Sequence, residues 1–357
     1  MNKSRIERIL SYMQAEGLEQ IIVSAEPSIY YITGMWIHPG ERMLALYLNA
    51  AGEVVLFANR LFALSAQEGM ELVEYDDTQD PVAILAQRVK PGKIGIDKVW
   101  PSQFTIRLMN ARADVQPALG SAPVDHARML KDEEEIRLMR ESSHMNDEAM
   151  RRTMACLREG MTELELQEIY AKNAKEVGGD GISFTPITCF GKNCAEPHHD
   201  NDATTLKKGD AVIIDVGLMH HSYASDMTRT VFFGGVTEEQ KKVYELVRRA
   251  NEEGRKAVRP GLPMCEFDRA ARKVIEDAGY GEYFIHRTGH GIGLEVHEHP
   301  DNSATSQIIA EPGMCFSVEP GIYLPGKFGV RIEDLVVVTE TGCETLNLLD
   351  HDLKVID

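Results

Sequence analysis

Apolar positions come first in short units and later in long helical periods, and the change predicts two domains. From Met1 to about Pro123 a helical start runs to Glu16, with apolar residues at helical spacing among Lys3, Arg5, Glu7 and Arg8. The apolar strand Ile21–Ser24 follows, then the strand pair Met43–Leu48 and Val54–Phe57, then shorter units. Ile94–Asp97, preceded by Pro91-Gly92-Lys93, reads as another buried strand, and Trp100-Pro101-Ser102 begins the helix after it. This alternation predicts a small α/β domain. A charged stretch, Lys131–Glu135, opens a long helical region to about Arg158, so the boundary is expected near residue 125, giving domains 1–125 and 126–357.

Gly160 stops that helix. Thr162 with Glu165 forms a capping box, in which each side chain bonds the other residue's backbone N–H, for a helix to about Val177. Thr237 with Gln240 repeats the signal for a helix ending before Pro260-Gly261, and the amphipathic stretch Glu266–Ala278 ends at Gly279. Two strand-rich segments share a layout with little identity. In the first, Gly209 leads into the strand Ala211–Ile214, then Asp215, a turn, Asp226 and the strand Thr230–Phe233. In the second, Gly313 leads into Met314–Val318, then Glu319, a turn, Glu333 and Leu335–Val338. A pseudo-twofold pair of hairpins is predicted, each with two carboxylates at strand ends.

Composition narrows the function. The chain has 357 residues, enough for two domains with cores of their own, so no disulfide staple is required. At 43% hydrophobic residues and with no apolar run long enough to span a bilayer, it is expected to be soluble. The N-terminus lacks the uninterrupted apolar stretch of a secretory signal. The six cysteines (Cys156, Cys189, Cys194, Cys265, Cys315, Cys343) form no dense framework, which fits free thiols in the cytoplasm. Cys189 and Cys194 have no second pair nearby, as a structural zinc site would require. A formal net charge of −18 argues against nucleic acid and anionic membranes as partners.

Gathered between two sheets, Asp215, Asp226, Glu319 and Glu333 repel one another unless a cation neutralises them. Oxygen-rich sites suit hard divalent ions, and two ions about 3.5–4 Å apart need a bridging carboxylate, for which Asp226 and Glu333 are the natural choices. His290, in Thr288-Gly289-His290-Gly291-Ile292-Gly293, offers an imidazole among glycines that permit close backbone approach. Strand alternation sets Glu333 and Asp334 on opposite faces, so only one can face the ions. Glu333 shares its face with Arg331, which either braces the carboxylates or forms an ordinary salt bridge.

With Ile214-Asp215-Val216-Gly217, Ser225-Asp226-Met227-Thr228-Arg229-Thr230, the His290 segment, Val318-Glu319-Pro320-Gly321 and Val330-Arg331-Ile332-Glu333-Asp334, the chain resembles the methionine aminopeptidase, prolidase and creatinase superfamily over about Leu130–Glu340. The resemblance implies an α+β chain: a creatinase-like N-terminal α/β domain, then a pita-bread domain with a pseudo-twofold repeat. It implies that Asp215 binds one metal through both oxygens, that Asp226 and Glu333 bridge, and that His290 and Glu319 complete the other metal. His198, in Glu196-Pro197-His198-His199, would contact substrate or help protonate the leaving nitrogen, and His297 would hold the scissile carbonyl oxygen. Glu319 would take the proton of the attacking water. His286 is a further candidate near substrate, Tyr223 and Thr228 are candidate hydrogen-bond partners of the metal carboxylates, and His199, His220, His221 and His299 are expected on loops without chemistry. His221-Ser222 stands where the family often has glycine, which bears on the hairpin turn.

The N-terminal domain resembles that of prolidases and Xaa-Pro aminopeptidases, and creatinase itself works without metal. The expected activity is therefore metal-dependent cleavage before proline, by a prolidase acting on dipeptides; the alternative is an Xaa-Pro aminopeptidase acting on longer peptides, and a binding protein that has lost catalysis would not need these ligands. Manganese is the expected metal, with cobalt, iron or zinc accepted by the same ligand types. Relatives commonly dimerise through the N-terminal domain, so a homodimer is expected.

Overall fold

The computed structural model describes all 357 residues, which divide into two units, Met1–Arg128 and Met129–Asp357. In the first, Asn2 caps the helix Lys3–Ala15 by accepting from the Arg5 N–H, and the helix buries Ile6, Ile9 and Met13. Six strands form one mixed sheet in the order Glu71–Tyr75, Val54–Asn59, Ala45–Asn49, Gln20–Val23, Gly92–Ile96, Val115–Leu119. Ile22, Tyr47 and Phe57 from this sheet share a core with Trp100, Phe104 and Leu108, the last two from the helix Ser102–Ala111. A short helix, Ala122–Met129, spans the boundary expected near residue 125, and Pro123 fits its first turn at no cost in hydrogen bonds, because that N–H has no partner in the helix.

In the second unit Asp132 caps the helix Glu133–Met154 through a capping box with Glu135. The helix ends four residues before the expected Arg158, where Cys156 and Leu157 bond back three residues and the Gly160 N–H pairs with the Leu206 carbonyl. Thr162 and Thr237 cap Glu163–Glu176 and Glu238–Ala257, both with capping boxes.

The pseudo-repeat is built from nested hairpins. Ala211–Val216 pairs antiparallel with Met227–Phe233, Asp215 opposite Thr228, and the small hairpin Leu218–His220 with Tyr223–Ala224 lies between them. Cys315–Val318 pairs with Asp334–Val338, Val318 opposite Asp334, and Gly321–Leu324 with Phe328–Arg331 forms the inner hairpin. The first inner hairpin turns on His221 (φ 46°) and Ser222 (φ 73°), the left-handed geometry that matches strand twist, so the turn forms without glycine.

Alternation along Ala211–Val216 decides where Asp215 points. Val212, Ile214 and Val216 pack on Met150, Leu166 and Tyr170 of one helix pair, whereas Ala211 and Ile213 pack with Val243, Tyr244 and Val247 on the other side. Asp215 shares this second face, between the two halves of the repeat. His220 and His299 do not lie on loops as expected: His220 ends the strand Leu218–His220 opposite Tyr223, and His299 lies in Glu298–Asn302. His220 is drawn in by its pairing with Tyr223, and His299 sits at the bulge where Glu298–Asn302 pairs with Gly289–Gly291.

Candidate metal centre and active site

Asp215, Asp226, His290, Glu319 and Glu333 line one cavity of about 170 Å³ together with His198, His286, Arg287, His297 and Arg331. One donor atom from each of Asp226, His290 and Glu333 falls within 4.8 Å of the others. His290 Nε2 lies 3.4 Å from Glu319 Oε1 and 3.7 Å from Asp226 Oδ2. The His290 Nδ1 is 3.1 Å from the Gly291 carbonyl, a bond that assigns the proton to Nδ1 and leaves the Nε2 lone pair facing the carboxylates. Gly289 and Gly291 make this approach possible, since a Cβ at either would meet the carbonyl oxygen of Ser317 or of His299.

Three carboxylate oxygens, Asp215 Oδ1, Asp226 Oδ1 and Glu333 Oε1, are buried here without a hydrogen-bond partner. Orphaned acceptors of this kind are costly in a dry site, and a hard cation is the ligand they suit. The second oxygens of Glu333 and Asp215 are braced. Thr228 Oγ1 donates to Glu333 Oε2 at 2.7 Å and accepts from Arg331 Nε at 3.2 Å. Arg331 Nη2 reaches Asp215 Oδ2 at 2.6 Å, while Nη1 donates to the Tyr323 hydroxyl at 2.9 Å. Asp334 points the other way, to Arg229 at 2.8 Å, as alternation predicts.

Burial holds the Asp226 carboxyl well above its usual range, with Glu333 and then Asp215 adding repulsion. Glu333 is raised by burial, then by Glu319 and Asp215. Burial lifts Glu319 to about 7 against the pull of Arg331. Burial also lowers His290 to about 3 and His286 to about 4, so both imidazoles are neutral near pH 7. The donor set of carboxylates, one neutral imidazole and three orphaned oxygens fits divalent ions.

The model of metallopeptidase family M24 matches residues 137–340, and that of the creatinase/prolidase N-terminal domain matches residues 5–130. The chain belongs to metallopeptidase family M24. An Xaa-Pro dipeptidase from Lactobacillus delbrueckii subsp. lactis is 35% identical, with 98% of each chain covered. A prolidase from Thermococcus sibiricus superposes with a TM-score of 0.93 at 36% identity over 100% of both chains. A dipeptidase from Pyrococcus horikoshii gives 0.94 at 35% identity, covering 99% of this chain and 100% of that one. The chain is thus a pita-bread metallopeptidase with a creatinase-type N-terminal domain.

The other histidines of this M24 peptidase separate by their partners. His297 lines the cavity with its ring centroid 4.2 Å from that of His290, and burial lowers its pKa. His198 is exposed at the cavity. His286 Nε2 meets the Tyr323 hydroxyl at 2.8 Å. His199 pairs instead with Glu163, and His220 with Glu141. Tyr223 corrects an expectation: its hydroxyl donates to Glu135 Oε1 at 2.8 Å, tying the hairpin to the helix Glu133–Met154. Sequence reasoning did not single out Tyr323 or Arg287. Arg287 stood only three residues before His290, whereas Tyr323 joins the site through Arg331 and His286, contacts that no local pattern signals.

Proposed function

We propose that this chain is an Xaa-Pro dipeptidase that hydrolyses the bond before proline with two divalent ions. The observation that carries the reading is the convergence of Asp215, Asp226, His290, Glu319 and Glu333 on one cavity with three orphaned carboxylate oxygens. Full-length likeness to a dipeptidase and a prolidase supports the substrate class. Asp226 and Glu333 would bridge the ions, with Asp215 on one and His290 and Glu319 on the other. Bound there, the ions supply Lewis acidity and an activated water. Glu319, held near neutrality by burial, takes up the proton released in the attack. His297 donates to the carbonyl oxygen as negative charge develops on it. His198, at the exposed side, contacts the substrate and returns a proton to the departing proline nitrogen.

Manganese is the proposed metal, with cobalt, iron or zinc accepted by the same donors. A cytoplasmic homodimer is the proposed state; all six cysteines are unpaired, which suits a reducing compartment, and no helix is long and apolar enough to cross a membrane. The test compares an Xaa-Pro dipeptide with an Xaa-Pro-Yaa tripeptide, before and after manganese addition, with Asp226→Ala as control. Metal-dependent cleavage of the dipeptide alone is expected. Preference for the tripeptide would assign an aminopeptidase instead, and no cleavage of either, with the variant indistinguishable, would refute the peptidase reading.

A further inference from the structure

Glu163 is absent from the cavity lining, yet its carboxylate organises the segment that delivers His198. It is the first residue of the helix Glu163–Glu176 and 0% exposed. Oε1 accepts from the Phe190 N–H at 2.8 Å and from Asn193 Nδ2 at 3.0 Å. Oε2 accepts from the Asp202 N–H at 3.0 Å and from His199 Nε2 at 2.9 Å. All these donors belong to residues 190–202, which run from the end of the strand Ile187–Phe190 through one short 3-10 turn, Gly191–Ala195, into an irregular stretch. The backbone of Glu163 holds the flanks as well: its N–H donates to the Thr204 carbonyl at 3.2 Å, and its carbonyl accepts from Thr188 Oγ1 at 2.8 Å.

His198 sits inside this frame with a restraint on either side. Before it, the Pro197 carbonyl accepts from Arg331 Nη1 at 3.3 Å, the guanidinium that also binds Asp215. After it, His199 is bound to Glu163. Glu163, His199 and Asp202 also bring ligand-type atoms within 4.8 Å of one another, the spacing of a metal site. A carboxylate offers about four lone-pair directions. Those of Glu163 are taken by N–H donors, so the cluster is complete as a hydrogen-bonded anchor and offers a cation no free oxygen on its one fully buried member.

We infer that Glu163, acting through His199, is a positioning residue for His198, fixing the imidazole at the substrate side of the metal centre. The inference rests on the proposed role of His198 in cleavage before proline. Near-attack geometry is demanding, and a displacement of about 1 Å in a reacting group costs roughly 100-fold in rate. Loss of the anchor therefore acts on turnover without touching the metal ligands.

The experiment uses the full-length manganese-loaded protein and an Xaa-Pro dipeptide, measuring kcat and KM for the wild type, Glu163→Gln, His198→Ala and the double variant. Metal content per chain is measured alongside. Glu163→Gln sets an amide N–H against the loop's own donors; it is expected to lower kcat/KM by roughly 100-fold, with metal content unchanged. On the His198→Ala background the same change is expected to cost little more, because residues acting through one another are not additive. Losses that multiply, a His198→Ala variant as active as wild type, or a metal ion lost with Glu163→Gln would overturn the inference. If Glu163→Gln does not fold, His199→Phe, which keeps a ring and removes one donor, carries the same comparison. A wild type that cuts no Xaa-Pro substrate refutes the proposed function and this inference with it, whereas an active wild type with multiplying losses refutes the inference alone.

Discussion

Metal binding by this protein should depend steeply on pH, because the ions must displace protons that burial keeps on the carboxylates. Glu319 carries its proton up to about 7, against an ordinary value of 4.5, and Asp226 and Glu333 are also raised by burial and mutual repulsion. Each pH unit below about 7 then costs about 1.4 kcal/mol, a tenfold rise in the apparent Kd, from Glu319 alone. Asp226 and Glu333, raised by burial and by their carboxylate neighbours, steepen the slope further. His290, lowered to about 3, is already neutral and releases no proton. The stability of the metal-free protein reports the same groups less cleanly. The Glu319 contribution to folding is fully present below 4.5 and is lost as pH rises through about 7, whereas those of His290 and His286 are present above 6.5 and lost as pH falls through about 3 and about 4. These trends oppose each other, so binding is the better reading. Manganese is titrated calorimetrically into chelator-treated protein at about pH 6, 7 and 8, in buffers of different ionisation enthalpy, to count protons released. The Glu319→Gln variant should lose about one proton of slope below pH 7. A Kd independent of pH over this range, or a slope unchanged in that variant, refutes the reasoning.

Other perturbations probe separate parts of the structure. Arg229→Met removes the cation paired with buried Asp334, and although His351 and Arg255 remain near that carboxylate, a loss of about 3 kcal/mol in unfolding free energy is expected; a change within error in urea unfolding would show that they suffice. Gly289→Ala drives a methyl into the Ser317 carbonyl and should displace His290, so metal content falls although no ligand is altered; full metal content at ordinary affinity would contradict this. His297→Ala should lower kcat by about 100-fold or more while leaving manganese affinity nearly unchanged, and steady-state kinetics beside metal titration separate the two effects. Both tryptophans, Trp36 and Trp100, lie in the first unit, so their fluorescence should follow unfolding of Met1–Arg128 and respond less to chelation than the far-ultraviolet signal does; equal responses in both signals would contradict that.

Much of the centre was legible in the sequence because its determinants are local. Capping boxes at Thr162 and Thr237 need only a residue and its neighbour three positions on, and both occur. The opposed directions of Glu333 and Asp334 follow from the backbone pleat, and the layout shared by the two halves is a matter of order along the chain. Tertiary packing decided which distant partner each polar group meets. Tyr223 looked like a companion of the metal carboxylates, but its hydroxyl meets Glu135, 88 residues away in sequence. For Arg331 the sequence left open a brace for the carboxylates or an ordinary salt bridge; the fold sets it against Asp215, 116 residues distant. Glu163 and His199 each looked ordinary, and only the return of residues 190–202 onto the start of a helix joins them. A strand's period fixes the face a side chain occupies, whereas its partner depends on how separate elements are stacked, and that is set by burial of the whole core rather than by any window of sequence.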